Sequence, residues 1–238
     1  FSLWYGTKYQ SASNIEKVYL TASGGSLLNI PKKKYKNLKL EEIVNHPNWK
    51  MGKKITVDSS TMMNKVFEVI EAKKIFDIDY NKISIIIHPK SYMHAIIIFK
   101  DGMIKIILHK TTMIIPIANT LNGLLPSNYY LSKKNIFKLS LNNLNKPDLR
   151  KISSKKFPFV KIINQLPKKG SLFETLLVTA NDEFVRLFLE KKISYNELLS
   201  KLLKFISKRE FVKYKTIEPK KINDILDLNQ KIKSYINF

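Results

Sequence analysis

A change of pattern between residues 55 and 68 constrains the fold of this chain more than any other feature. The β-branched run 55–57 stops at Asp58, a cluster of hydroxyl side chains follows, and a helical pattern then begins at Thr61. β-branched residues favour strands. Hydroxyls at a helix start accept bonds from its free backbone N–H groups, which can also hold a phosphate. The pattern therefore predicts a strand, a hydroxyl-rich turn and a helix that runs to Phe76.

The first turns of this predicted helix gather groups that could bind an anion or a metal. Asn64 and Glu68 are four residues apart and share one helix face, and Lys65 lies one position round from Asn64. Ser59 adds a hydroxyl just before the helix. The alternative is a capped surface helix in which Lys65 and Glu68 form an ion pair, an interaction that contributes little stability.

A second segment of the same kind precedes it. The predicted strand 18–22 is followed by Ser23-Gly24-Gly25. Paired glycines after a strand let the backbone turn tightly and direct N–H groups at a phosphate. An ordinary turn is the alternative reading.

A polar and aromatic loop at residues 45–53 separates these two segments. It carries His46, Trp49 and Met51 and ends near a possible hinge at Gly52. Loops of this kind can close over a ligand and exclude water. Alternatively, Trp49 and Met51 are simply core residues.

The order of the remaining patterns predicts an α+β domain followed by helices. Residues 83–87 form a predicted buried strand, and 94–99 and 103–108 flank Asp101-Gly102 as a hairpin. A polar stretch precedes the helical patterns 172–190, 195–206 and 222–236, and Ser194 with Glu197 forms a capping box. We expect a catalytic domain with a mixed sheet over 1–122, a linker over 123–147 and a C-terminal α-helical bundle over 148–238.

Composition excludes some classes of protein. The absence of cysteine excludes disulfides and thiolate metal sites, and no apolar run reaches the length of a membrane span. The net charge of +23 would attract nucleic acid. However, the basic residues are spread along the chain, and abundant Lys, Asn and Ile are typical of an AT-rich coding bias. Compositional bias is the favoured explanation, and nucleic-acid binding stays an alternative.

Together, in this order and spacing, these segments resemble 1-deoxy-D-xylulose 5-phosphate reductoisomerase. The specific matches are residues 20–25, 46–55, 57–68 and 87–94. Looser matches follow at Met113, 116–118 and 180–183. The resemblance spans nearly the whole chain, but only the later part of the family's usual length.

The resemblance implies an activity and a site. The family isomerises and reduces 1-deoxy-D-xylulose 5-phosphate to 2-C-methyl-D-erythritol 4-phosphate in non-mevalonate isoprenoid biosynthesis, using NADPH and Mg²⁺ or Mn²⁺. The catalytic residues would be His46, Trp49, Lys65 and Glu68. The substrate would be bound by Ser23, His46, Ser59, Asn64, Lys65, Glu68, Ser91 and His94. The metal would be bound by Glu68, and the cofactor would be approached by Met51, Gly52 and Met113.

The departures from the family pattern concern the metal and the cofactor. The family has an Asp-Ser-Glu tripeptide upstream of the Ser-Gly-Gly strand, whereas no aspartate precedes Asp58 here, and seven glycines form no dinucleotide fingerprint. Val66 stands where the family has glycine, and Thr111-Thr112 replace Pro-Asp. We therefore expect the family's N-terminal NADPH domain and two of its metal ligands to be missing, and this chain to be inactive alone.

Three interpretations stay open at this point. The favoured one is a portion of a working reductoisomerase, for which the family implies a homodimer, a phosphorylated sugar substrate and a cytoplasmic or plastid-type location. The second is a degenerate relative that binds a phosphorylated ligand or a partner chain without catalysis. The third is a basic nucleic-acid-binding protein.

Overall fold

The computed structural model describes residues 2–7, 11–121, 141–145 and 147–237, which divide into two compact units. The sheet unit comprises Phe1–Gly24, Pro47–Lys50 and Glu71–Ile152, and the helical unit comprises Gly25–His46, Met51–Ile70 and Ser153–Phe238. Most of the predicted linker, 123–147, lies outside the described residues. The predicted domain limits remain a prediction.

Helices and strands alternate in the first half of the chain and helices dominate the second. The strands are β1 (Ile15–Ala22), β2 (Ile83–Ile87), β3 (Met93–Phe99), β4 (Ile104–Leu108) and β5 (Arg150–Lys151). The α-helices are α1 (Ser2–Thr7), α2 (Leu40–Val44), α3 (Lys53–Thr61), α4 (Met63–Phe76), α5 (Ile114–Thr120), α6 (Leu141–Leu144), α7 (Leu172–Leu189), α8 (Tyr195–Ile206), α9 (Arg209–Val212) and α10 (Ile222–Asn237). Short 3₁₀ helices are Ala12–Asn14, Lys32–Asn37, Tyr80–Lys82, Pro158–Gln165 and Lys213–Lys215.

The sheet unit is built on one mixed sheet with the strand order β4-β3-β1-β2-β5. Strand β1 runs parallel to β2 and antiparallel to β3, and β3 pairs with β4 as a hairpin. Alternate residues of β2 and β3 are buried, because successive side chains of a strand point to opposite faces. Gly102 adopts a φ of 84° in the hairpin turn. The predicted mixed sheet and the Asp-Gly hairpin are confirmed.

The helical unit is built around α7, whose side chains are mostly buried. Helix α7 packs against α3, α8 and α10. Capping boxes begin α7 at Ser171 and α8 at Ser194, since each serine pairs with the glutamate three residues later. The predicted C-terminal helices and the Ser194 capping box are confirmed. Among the described residues, no helix is long and apolar enough to cross a membrane.

The strand predicted at residues 55–57 is wrong, because these residues belong to helix α3. Thr56 donates its hydroxyl to the Gly52 carbonyl over 2.9 Å, and Lys54 pairs with Asp58 one turn later at 2.8 Å. Residues 56–61 are buried, so packing within the helical unit outweighs the strand preference of β-branched residues. A left-handed residue, Met62 with a φ of 68°, separates α3 from α4.

A buried carboxylate fastens α3 to α7. Asp58 is almost fully buried and accepts a hydrogen bond from the Asn181 amide at 2.9 Å. Lys54 lies 2.8 Å from Asp58 and 2.7 Å from Asp182, so one ammonium bridges the two helices. Burial raises the pKa of Asp58, although the bonds from Asn181 and Lys54 partly offset it. A buried charge must be paired to be tolerated, which makes this contact specific.

Replacing Lys54 with Met should lower the free energy of unfolding by about 2 kcal/mol or more at pH 7, because the buried Asp58 carboxylate loses its cation. The loss should shrink as the pH falls through the raised pKa of folded Asp58, because a protonated carboxyl no longer needs a cation. Urea denaturation measures both effects.

The matched control is Lys53→Met, at the exposed neighbouring position of α3. It should change the free energy of unfolding by less than about 0.5 kcal/mol. Similar losses in the two variants would show that the Lys54 contact does not anchor the helix.

Candidate functional site

The predicted anion- and metal-binding face of α4 begins with a closed ion pair. Lys65 Nζ lies 2.7 Å from both carboxylate oxygens of Glu68. The lysine side chain is 16% exposed and the glutamate side chain 39%. The ion pair considered as the alternative is therefore present. Any other ligand of Lys65 or Glu68 has to replace this contact.

Asn64 supplies the clearest unmet hydrogen bond on this face. Its Oδ1 atom is buried and has no hydrogen-bond partner among the described residues. A buried acceptor without a partner costs free energy, and such groups recur where a ligand or water completes the site. A donor such as a substrate hydroxyl would satisfy it.

The hydroxyl cluster is placed differently from the prediction. Ser59 and Ser60 lie inside α3 rather than at the start of α4, and the Ser60 hydroxyl donates to the Val57 carbonyl at 2.7 Å. Among the described residues, the Thr61 hydroxyl caps α4 by accepting the Met63 N–H at 3.3 Å. The prediction that the hydroxyls of Ser59 and Ser60 lie at the start of this helix was therefore wrong.

Gly25, the last residue of the Ser-Gly-Gly turn, nevertheless meets the Ser59 segment within the helical unit. Gly25 adopts a φ of +63°, and a Cβ atom there would lie 2.8 Å from the Ser59 carbonyl oxygen and from Ser60 Cα. The buried Tyr195 hydroxyl also donates a hydrogen bond to this backbone, at the Ser60 carbonyl, over 3.1 Å. Only glycine fits this close approach of two backbones.

The part of the loop that belongs to the helical unit carries His46, Met51 and Gly52. Burial lowers the pKa of the half-buried His46, which favours a neutral imidazole near pH 7. Gly52 starts α3 with a φ of −62°, and a Cβ there would meet open space. Its backbone does not require glycine, so the hinge remains a prediction.

A second cluster forms in the sheet unit and brings together three predicted residues. The Trp49 and His94 rings make an edge contact with centroids 6.5 Å apart. Ser91 holds a left-handed φ of 58° and receives a hydrogen bond on its hydroxyl from the Asn48 amide at 2.9 Å. The same amide also donates to the Pro89 carbonyl at 2.6 Å, so Asn48 ties the loop to the end of β2.

Sequence reasoning missed two members of this cluster. Asn48 lay inside the matched loop, but its type alone gave no reason to single it out. His109 follows β4 and stacks on His94 with ring centroids 3.6 Å apart. Nothing in the local pattern around His109 indicated this contact.

The positions of the other predicted residues of the sheet unit neither support nor contradict their predicted roles. Ser23 is half-buried just after β1, and Met113 is exposed immediately before α5. As for the metal, the described part of the chain contains no group of three or more histidine, aspartate or glutamate side chains that could hold an ion. Glu68, the one metal ligand predicted from the sequence, therefore has no such group around it in the described part of the chain.

Comparison with protein-family models and known proteins gives a consistent result. Residues 1–76 match a model of the 1-deoxy-D-xylulose 5-phosphate reductoisomerase C-terminal domain, and residues 108–235 match a model of the DXP reductoisomerase C-terminal domain. The 1-deoxy-D-xylulose 5-phosphate reductoisomerase of Pelagibacter ubique is 48% identical over 229 residues, which cover 96% of this chain and 58% of the relative. That of Persephonella marina is 36% identical over 206 residues, covering 86% and 53%.

Solved structures agree with these relatives. A crystal structure of DOX-P reductoisomerase in complex with NADPH, fosmidomycin and magnesium superposes with a TM-score of 0.84 at 29% identity, covering 97% of this chain and 56% of that one. A second, in complex with magnesium, gives a TM-score of 0.81 at 27% identity and covers the same shares. The chain therefore spans little more than half the length of the proteins it matches.

The Gly25 contact predicts a specific loss of stability. Gly25→Ala should lower the free energy of unfolding by about 3 kcal/mol or more, because a left-handed φ and a backbone clash are combined. Gly102→Ala separates the two effects, since Gly102 has a φ of +84° but open space around it. It should cost only about 1–2 kcal/mol.

Chemical denaturation of the two variants side by side provides the measurement. A cost for Gly25→Ala no larger than that for Gly102→Ala would mean that the turn does not press against the Ser59 segment.

Proposed function

This chain belongs to the 1-deoxy-D-xylulose 5-phosphate reductoisomerase family, and we propose that it carries the substrate-binding part of an enzyme with that activity. The reaction would convert 1-deoxy-D-xylulose 5-phosphate to 2-C-methyl-D-erythritol 4-phosphate with NADPH. The observation that carries the proposal is the face of Asn64, Lys65 and Glu68, where an ammonium, a carboxylate and an unsatisfied amide oxygen lie together. Relatives that bear this activity in their names support it.

Lys65 is the proposed phosphate ligand. Its side chain is largely removed from water and its ammonium is held by a single carboxylate, so an incoming phosphate can take over the role of counter-ion. Ser59 and Ser23 would contribute hydroxyls, and Asn64 would accept from a substrate hydroxyl. The net charge of +23 supplies a field that attracts a phosphorylated sugar.

A phosphate that binds Lys65 would take the place of Glu68 and release this carboxylate. Both Glu68 oxygens contact Lys65 in the closed pair, and a lysine that turns to a phosphate leaves this carboxylate available for a cation. Substrate binding and metal binding would then support each other. A phosphate on Lys65 frees Glu68 for the metal, and a metal on Glu68 frees Lys65 for the phosphate.

The residues that the structure describes do not by themselves fit a tightly bound dication. Magnesium needs near-octahedral oxygen coordination, and the described residues provide Glu68 without a neighbouring group of three metal-binding side chains. Glu68 is therefore proposed as one ligand of a site whose other ligands would come from outside the described residues. When bound, Mg²⁺ or Mn²⁺ would polarise the substrate carbonyl and hydroxyl.

The sheet-unit cluster is proposed to bind the rest of the substrate. Trp49 would cover the carbon chain as part of a closing loop, and Ser91 and His94 of the same cluster would contact the substrate beside it. His46, neutral because burial lowers its pKa, would lie near the phosphate. Met51, Gly52 and Met113 are proposed to approach the nicotinamide, although this sequence has no glycine-rich dinucleotide fingerprint.

A homodimer and a cytoplasmic or plastid-type location complete the proposal. Strand β4 lies at the edge of the sheet as described, and Met103, Ile104 and Ile106 expose apolar side chains there. An exposed apolar edge strand is a ready pairing surface for a second copy. The alternative function is a degenerate, non-catalytic relative that binds a phosphorylated ligand or a partner chain, and the names of the relatives favour the enzyme over it.

Lys65→Ala should weaken binding of a phosphonate analogue of the substrate about tenfold or more, because a charge-assisted hydrogen bond contributes about 1.5–3 kcal/mol. Calorimetry on the protein made from its complete reading frame measures the change. The matched control is Lys204→Ala, which removes the same charge from an exposed position on α8. Equal affinity in wild type and Lys65→Ala would remove Lys65 from the phosphate site.

The 238-residue chain alone should not oxidise NADPH in the presence of substrate and Mn²⁺, because one carboxylate cannot hold the metal in fixed geometry. Protein from the complete reading frame should be active, and Glu68→Gln should abolish turnover. Absorbance at about 340 nm follows NADPH, whose reduced ring absorbs there. Loss of turnover in Glu68→Gln is the result expected when a metal ligand is removed.

Turnover by the 238-residue chain alone would refute this division of the site. An inactive complete protein that still binds the phosphonate would instead establish the non-catalytic alternative.

A further inference from the structure

An extra residue in strand β3 sets the direction of the His94 side chain. In the β3–β4 ladder, Met93 pairs with Leu108 and Ala95 pairs with Ile107, so two steps along β3 correspond to one step along β4. His94 is the extra residue between them. Beyond it the ladder resumes, with the His109 N–H donating to the Tyr92 carbonyl at 2.9 Å. A bulge of this kind re-aims one side chain, here toward the end of β4.

The bulge places His94 on His109 in two ways. The rings stack with centroids 3.6 Å apart and planes 18° apart. In addition, His94 Nε2 lies 3.2 Å from the His109 carbonyl oxygen. A carbonyl only accepts hydrogen bonds, so Nε2 of His94 carries a proton. The same residue thus supports the flat face of the His94 ring and binds its edge.

His109 is itself held in place. Its Nδ1 atom donates to the Lys110 carbonyl at 2.7 Å, which fixes the orientation of the ring. Burial lowers the pKa of His109, while the bond to Lys110 acts in the opposite direction. A neutral, fixed imidazole is a flat support that can stack on a second imidazole without charge repulsion.

We infer that His109 is a positioning residue that holds the His94 imidazole in one orientation against Trp49. The Trp49 ring makes an edge contact with His94 at an interplanar angle of 66°, so the imidazole contacts both an indole and a second imidazole. A ring supported by both neighbours loses its rotational freedom before any ligand arrives, and pre-organisation of this kind reduces the entropy lost on binding. The consequence for substrate affinity rests on the role proposed above for His94.

Two substitutions separate the ring from the rest of the residue. His109→Ala removes the stack but keeps the backbone carbonyl that His94 Nε2 binds. His109→Phe keeps a flat ring of similar size. The matched control is Lys105→Ala on β4, which changes the same strand at a position that pairs with Ile97, away from the bulge.

The direct readout is the proton–proton nuclear Overhauser effect between His94 and Trp49 in the isotope-labelled complete protein. It should persist in wild type, His109→Phe and Lys105→Ala, and it should weaken or vanish in His109→Ala. An unchanged effect in His109→Ala would overturn the inference, whatever the activity of the protein.

Steady-state kinetics tests the consequence separately. The KM for the sugar phosphate should rise about fivefold or more in His109→Ala, with a smaller change in kcat, because positioning acts on binding. His109→Phe should restore the wild-type KM. Loss of the Trp49 contact with unchanged KM and kcat would support the positioning of His94 and refute its proposed role in substrate binding.

Discussion

The buried carboxylate of Asp58 is the constraint on which the helical unit depends. A charge at this depth is tolerated only with partners, and Asn181 and Lys54 provide them from α7 and from one turn earlier in α3. The requirement fixes how α3 lies on α7. It also fixes the following residue, Ser59, whose backbone meets Gly25. Ser59, one of the proposed phosphate-binding residues, therefore directly follows a buried charge that is paired across two helices.

The features predicted correctly from sequence are those set by neighbours in the chain. The Asp-Gly turn, the strand at residues 83–87 and the Ser194 capping box each depend on residues within a few positions. The strand at residues 55–57 was wrong, because its outcome is decided by partners more than a hundred residues away, such as Asn181. The His94–His109 stack was missed for a similar reason, since a bulge cannot be read from β-branched composition.

The sequence motifs identified the candidate residues but did not decide which contacts their side chains make in the structure. Lys65 and Glu68 were singled out both as ligands and as an ion pair, and the structure shows the pair. These descriptions are compatible, because oppositely charged ligands of a phosphate and a cation neutralise each other until their targets arrive. The proposed site thus avoids two unpaired charges on a half-buried helix face. The sheet unit prepares its part differently, through ring stacking around His94.

The most direct test of this account is anomalous diffraction from crystals of the complete protein grown with Mn²⁺, with and without a phosphonate analogue. With both ligands, the account predicts a manganese peak bound by a Glu68 oxygen at about 2.0–2.3 Å, the range for oxygen ligands of small dications, with Lys65 Nζ turned to the phosphonate. Without the analogue, the Lys65–Glu68 pair should be closed. A manganese site elsewhere, with Lys65 still bound to Glu68 in the presence of both ligands, would contradict the proposed exchange of partners.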